Sequence, residues 1–424
     1  MSDLQTVKAV RAMAAFVVLA WPMGAAMATN GYFSHGYGIK SKGMGGASVA
    51  VNDNAFAGAN NPAAAAWAGN RVELGIDLFA PNRSMSRVNS AGGFFDTTVK
   101  SDENLFVIPE IGFNRAVNDK LGVGITVYGN GGMNTDYAGG QINCGQGPAN
   151  VLCGSGRLGV DLIQLIVAPT VAYKFNDRHS IGISPLLVYQ RFKAEGLQAF
   201  TPGTSSPSNL TNNGFDSSSG IGVRLGYFGK ITDRFSMGAS YSPKIGMSEF
   251  SKYSGLFAGQ GGFDIPANYA VGLSFRATPD VSLAFDYQRI DYSAVKSIGN
   301  SSAQGTAPLG AANGPGFGWT DINVVKLGVQ WQATSKLVLR GGFNSGSNPI
   351  QSPDVTFNIL APGVTTKHYT VGGTYALSDN TELSMSYMHA PSNAVSGTTA
   401  LPFGGTETIQ MSQSALGIQF GWRY

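Results

Sequence analysis

The sequence predicts an all-β fold: a 14-stranded antiparallel transmembrane β-barrel with an N-terminal hatch. Three observations predict it. The chain ends on a strand with one wholly apolar face, period-2 segments recur along its length, and the connections between them alternate short and long. In the last strand Leu416, Ile418, Phe420, Trp422 and Tyr424 share one face. Ala415, Gly417, Gln419, Gly421 and Arg423 share the other, because successive side chains of a strand point to opposite sides. A soluble sheet rarely exposes five large apolar side chains on a terminal strand. A lipid-facing strand needs such a face, with aromatics near the membrane interface.

Composition agrees. Glycine supplies 58 of 424 residues, charged residues only 12 % and hydrophobic residues 43 %, which suits neither a typical soluble domain nor a disordered chain. The formal net charge is +3, and no basic run with interleaved aromatics occurs, so no nucleic-acid partner is expected. Residues 1–28 read as a signal peptide. Lys8 and Arg11 precede the apolar stretch 13–21, Pro22 and Gly24 break it, and Ala26-Met27-Ala28 forms an A-x-A cleavage site before Thr29. No later segment reaches the roughly 18 apolar residues of a transmembrane helix. An exported chain with lipid-type strands and no such helix points to a barrel in the bacterial outer membrane. The aromatic last residue resembles the terminal signature of such barrels, which makes the barrel-assembly machinery an expected partner.

The strands follow in order. Leu121, Val123, Ile125 and Val127 alternate with small or polar residues. So do Ile163 to Phe175, Val281 to Tyr287 and Leu327 to Trp331. Strands are placed at 71–80, 104–116, 120–129, 161–175, 179–192, 219–231, 234–243, 267–277, 280–291, 320–333, 336–344, 366–377, 380–389 and 411–424. Short turns rich in Asn, Asp and Pro lie at 117–120, 175–178, 231–234, 278–280, 333–336 and 377–380. Long loops fall at 81–103, 130–160, 193–218, 244–266, 292–319, 345–365 and 390–410. All short turns then sit at one, periplasmic end with both termini, as an outer-membrane barrel requires. The barrel is assigned to 71–424 as a monomer in outer-membrane lipid.

Residues 29–70 lack a lipid face and are too glycine-rich for a long helix. Wide barrels hold an aqueous channel unless something fills them, so this segment is read as a hatch inside the lumen. Its stretch Gly43-Met44-Gly45-Gly46-Ala47 and the triplet Asn61-Pro62-Ala63 just before the first strand resemble the FadL-type outer-membrane transporters of hydrophobic compounds. The resemblance extends over the mature chain through the strand count and the long fourth outer loop. It implies energy-independent uptake of a hydrophobic ligand. Long-chain fatty acids are the first expectation and toluene-like aromatic hydrocarbons the alternative. A general porin or structural barrel is the competing class.

Bulky residues expected on the inward face, Phe79, Phe106, Leu186, Phe228 and Met388, oppose a water-filled pore. Ile108 and Val188 belong with them. They suit a hydrophobic pocket, or packing against the hatch. Inward charges are expected at Glu73, Asp77, Glu110, Arg224, Arg276, Asp286, Lys326 and Arg340. Arg340, Lys326 and Arg224 are, in that order, the candidates to meet a fatty-acid carboxylate. Leu197 and Phe200 mark the third long loop, and Phe250, Tyr253, Leu256 and Phe257 crowd the fourth. The resemblance implies an outer capture groove between these loops; loop-on-loop packing is the alternative. It also implies a lateral window at a kink of the third strand, placed at Gly129, Gly131 and Gly132.

Cys144 and Cys153 suit a disulfide in an oxidising compartment. No metal, cofactor or enzyme is expected. There is no Gly-x-Ser-x-Gly elbow, no phosphate loop, and His35, His179, His368 and His389 are scattered.

Overall fold

The computed structural model describes residues 30–145, 147–303 and 307–424. The signal-peptide assignment therefore lies outside the described residues. Among them, no helix is long and apolar enough to cross a membrane. Fourteen strands form one closed antiparallel barrel. They are β1 (Arg71–Val88), β2 (Phe106–Ala116), β3 (Leu121–Tyr137), β4 (Leu158–Lys174), β5 (His179–Glu195), β6 (Asp216–Lys230) and β7 (Phe235–Ser242). Then come β8 (Asn268–Arg276), β9 (Val281–Ile290), β10 (Ile322–Gln332), β11 (Leu337–Gly346), β12 (Lys367–Ala376), β13 (Thr381–Thr398) and β14 (Thr406–Arg423). Each strand pairs with the next. β14 returns to β1 in unbroken register from Arg71↔Arg423 to Val88↔Thr406, which closes the sheet on itself.

The terminal strand behaves as its alternation predicts. Leu416, Ile418, Phe420 and Tyr424 are exposed to the membrane, while Gly417, Gln419 and Gly421 are buried toward the lumen. The same outward apolar row recurs in Val171, Tyr173 and Phe175, in Leu283 and Phe285, and in Leu327, Val329 and Trp331. Each short turn joins an even-numbered strand to the next odd one, at the end that holds residue 71 and the C-terminus.

The strand ends correct three sequence boundaries. β7 and β8 have 8 and 9 residues, close to a bare membrane crossing. β1, β13 and β14 have 18 each and rise well beyond it. Much of 81–103, 130–160 and 390–410, expected as loop, is therefore strand. Outside the hydrocarbon the outward positions are polar, as in Asn82, Ser84 and Ser86, so the lipid-type alternation ends while the ladder continues. The long connections fold over the outer mouth. One of them carries a short hairpin of 142–143 with 148–149 beside the bonded pair Cys144–Cys153, whose Cα atoms are 5.7 Å apart.

Candidate functional site

Residues 30–70 are enclosed by the barrel, and most are buried. Their fixings are ionic. Lys40 donates to Glu73 at 2.8 Å and also pairs with Glu382. Lys42 bridges Asp77 at 2.8 Å and Glu110 at 2.6 Å. Asp286 on β9 accepts the backbone N–H groups of Ser48 at 2.7 Å and Val49 at 3.0 Å. Asn61 caps the short 3-10 helix Pro62–Ala66 by accepting from the Ala63 N–H, and its Nδ2 donates to the carbonyls of Val49 and Tyr227. Pro62 stands at the first helical position, where its missing N–H costs nothing. Pro62 and Ala63 press against Gly182, and Asn61 with Pro62 against Gly226.

Glycine lets backbone meet backbone on the opposite wall. Gly43 lies against Gly372, Met44 against Gly328, and Gly45 against Gly342. Gly45 has φ +66°, and a Cβ there would stand 2.7 Å from the Phe343 carbonyl oxygen. Gly46 has φ +83°, and a Cβ would overlap the carbonyl of His35.

Two of the three candidate ligand cations, Arg224 and Arg340, are engaged by the protein. Arg224 donates to the Gly58 carbonyl at 3.0 Å, to the Ala59 carbonyl and to Tyr128 Oη at 3.1 Å. Arg340 donates to Gln330 and Thr374 and faces Asp53 at 3.7 Å. Lys326 stands opposite Asp286 in the β9–β10 ladder. None of the three lines the apolar pocket described below. Arg276, expected inside, is exposed at the end of β8, because it lies at the strand terminus past the enclosed segment.

Above the enclosed segment the lumen is apolar. Phe79, Phe106, Leu186 and Met388 join one buried cluster with Ile108, Tyr128, Met133, Val188 and Trp319. Phe228 does not join it. It packs on Trp67 near the periplasmic end, with ring centroids 5.7 Å apart. The outer-loop residues Leu197, Phe250, Tyr253, Leu256 and Phe257 are buried in the same cluster, and Phe200 packs at its edge on Phe357. Phe192 sits among Phe250, Tyr253 and Phe257 at 5.6, 4.9 and 4.6 Å. These loop side chains face one another and not solvent. A narrow pocket of about 20 Å³ remains, lined by Phe79, Arg83, Met133, Trp319, Gly363 and Met411 among others.

Gly129, Gly131 and Gly132 lie in mid-strand, not at the strand end where the sequence places them. The β2–β3 ladder stops at Ile111↔Val127, yet β3 continues to Tyr137, paired only with β4. A bulge between Gly129 and Gly131 leaves Asn130 unopposed. The freed edge is covered from within: Ser34 N–H donates to the Asn130 carbonyl at 3.3 Å and Gly132 N–H to that of Tyr32 at 3.2 Å. A Cβ on Gly131 would strike the Tyr32 carbonyl.

Two histidines far apart in sequence meet here. His35 and His368 stack at 6.0 Å, both buried. Burial, with Lys42 and Lys326 nearby, pushes the His35 pKa down to about 3. Among the described residues no His, Cys, Asp and Glu group is arranged to hold a metal ion.

A family model described as outer membrane protein transport protein (OMPP1/FadL/TodX) matches residues 16–424. No curated protein matches. Solved structures of the same fold include the toluene transporter TodX of P. putida, with 20 % identity over 92 % of this chain and 99 % of that one and a TM-score of 0.68. The toluene transporter TbuX of Ralstonia pickettii is 20 % identical over 92 % and 99 %, with a TM-score of 0.66. A Pseudomonas aeruginosa FadL homologue is 13 % identical over the same shares, with a TM-score of 0.68.

Proposed function

Because the chain belongs to the OMPP1/FadL/TodX family of outer-membrane transport proteins, we propose that it takes up toluene-like aromatic hydrocarbons. Passive transport across the bacterial outer membrane, rather than catalysis, is the activity of the family. Residues 30–70 act as its hatch. The ligand enters through the outer loops, rests in the apolar lumen and leaves sideways between β2 and β3. Its driving force is its own gradient and the burial of apolar area.

One observation carries this reading: the β2–β3 ladder ends ten residues before β3 does, beside an apolar pocket. A strand edge left unpaired at that depth is tolerated only where protein or a cavity covers it. Two features favour the hydrocarbon over the fatty acids expected first. Relatives of like fold are named for toluene, and two of the three candidate carboxylate partners, Arg224 and Arg340, are already engaged by the protein.

The test is uptake of labelled toluene and labelled oleate by cells producing the chain, with and without deletion of Asn130. Deletion removes the bulge and lets β3 pair straight on. Toluene uptake that falls toward background on deletion supports the reading. Unchanged uptake rejects the lateral route, and uptake of oleate alone rejects the hydrocarbon.

A further inference from the structure

Beneath the enclosed segment, at the short-turn end of the barrel, lies an open basin of about 460 Å³. Met44 and residues 50–53 roof it. Its wall is the inward row of β6 to β9, where Lys230, Arg234 and Arg276 stand among serine and other small side chains. The register sets two of these cations against each other. Phe235 pairs with Phe275, so Arg234 and Arg276 are opposite one step nearer the mouth, and the Arg276 N–H donates to the Arg234 carbonyl at 2.8 Å. Both side chains follow the inward row, because Met237 and Phe275 are exposed on the lipid side. Like charges directly opposite each other in a sheet are destabilising. Among the described residues neither guanidinium has an ion-pair partner. The two carboxylates lining the basin turn to other cations: Asp233 lies 3.4 Å from Arg178, and Asp53 lies 3.7 Å from Arg340.

The positive row continues along the mouth. Trp67 is fixed by donating from Nε1 to Ser180 Oγ at 2.8 Å. The Lys230 and Lys174 ammonium groups lie 4.2 and 4.1 Å from its ring centroid. A ring quadrupole attracts each ammonium but neutralises neither. Asp119 and Asp177 act on Lys174 only from beyond ion-pair distance. Lys174, Lys230, Arg234 and Arg276 thus form one cationic arc from β4 to β8. Its self-repulsion costs stability unless an anion meets it.

The shape of the arc selects the anion. Neighbouring strands stand about 4.8 Å apart, so four strand spacings spread the cations over about 19 Å. A single phosphate or carboxylate reaches two of them at most. An extended peptide presents a side chain on one face every 7 Å or so, which suits the whole row. The basin is wide enough for one such strand and too small for a folded domain, so the body of a partner would stay outside.

We propose that this arc docks an extended acidic segment of a periplasmic protein, laid along the mouth beneath residues 50–53 with its carboxylates on Arg234, Arg276 and Lys230. The inference concerns a partner and not the cargo, so it stands apart from the hydrocarbon reading.

The test is fluorescence anisotropy of labelled octaglutamate with the full-length barrel in non-ionic detergent, at low and high salt. The double variant Arg234→Gln/Arg276→Gln and Lys336→Gln, a cation on the other side of the mouth, are measured alongside. We expect binding that weakens with salt, falls at least about tenfold in the double variant and is unchanged in Lys336→Gln. The double variant removes a repulsion, so it should melt no lower than the wild type; a lower melting temperature marks the arginines as structural and overturns the proposal. An equal loss in Lys336→Gln shows attraction to net charge alone and also overturns it, as does absence of binding at low salt. Pyrophosphate that binds as tightly as octaglutamate and displaces it replaces the peptide by a small anion. Should the variants fail to fold, octaglutamate carrying a photocrosslinker decides the matter on the wild type. Attachment at the short-turn ends of β4 to β8 supports the proposal, and attachment at the outer loops overturns it.

Discussion

Replacing Lys42 by methionine should open the lumen. In the wild type the Lys42 ammonium is 2 % exposed and lies 2.8 Å from Asp77 and 2.6 Å from Glu110. Methionine keeps most of the stem and removes the charge. Asp77 then has no other ion pair among the described residues, and Glu110 keeps only the Gly38 N–H at 3.2 Å. Two carboxylates are left buried side by side. Removing one partner of a buried pair costs about 3–5 kcal/mol. That is about two to three and a half powers of ten in the ratio of released to seated hatch. A wild type released one part in 10⁴, an illustrative figure, would then be released at about the per-cent level or above. The assay is single-channel conductance in a planar bilayer, where seated barrels should be silent and released ones conduct. The triple variant Lys42→Met/Asp77→Asn/Glu110→Gln removes the stranded charges as well, so it should close again and measure the coupling directly. If Lys42→Met is as silent as the wild type, these ion pairs do not hold the hatch, and the reasoning fails.

Other outcomes follow from the same geometry. Gly46→Ala places a Cβ against the His35 carbonyl at φ +83°, a strain of at least about 1–3 kcal/mol. Limited trypsin digestion should then cut after Lys40 or Lys42, which the wild type protects by burial. Acid should loosen the hatch through His35. Its seated pKa of about 3 lies below the ordinary 6.5, so its contribution is full above pH 6.5 and is lost as pH falls toward 3. At pH 4.5, two units below 6.5, the loss is about 3 kcal/mol. His35→Asn should therefore flatten the difference in melting temperature between pH 7 and 4.5. Tyr424→Ala should lower the yield of assembled barrel in the outer membrane, read as the heat-modifiable band on a gel, without changing ligand binding by the barrel that does form.

The barrel was legible because a lipid face leaves a strong period-2 trace and because the turn residues mark one end. The strand extensions left no such trace. Asn82, Ser84 and Ser86 point outward into water, and their polarity resembles that of a loop. That same disguise hid Arg83. Following the odd positions on from Phe79 through Pro81 to Met85 would have found it. Arg340, Lys326 and Arg224 were recognisable as inward cations, but a single strand cannot tell which cations meet the enclosed segment. Only closure of the barrel brings Arg224 to Ala59 or Arg340 to Asp53. The stack of His35 on His368 is equally a product of closure, across more than 330 residues of chain.

The seam of Gly43 and Gly45 against Gly372 and Gly342 has a mechanical meaning. Elsewhere, interdigitated side chains act as teeth, and one surface passes another only by turning rotamers. Here two nearly bare backbones face each other, so little resists displacement along the wall. What holds this joint is polar: the pins at Lys40, Lys42 and Asp286, and the hydrogen bonds of Asn61 and Arg224. A piston seated in a smooth sleeve by removable bolts is a better likeness for it than a door on a hinge.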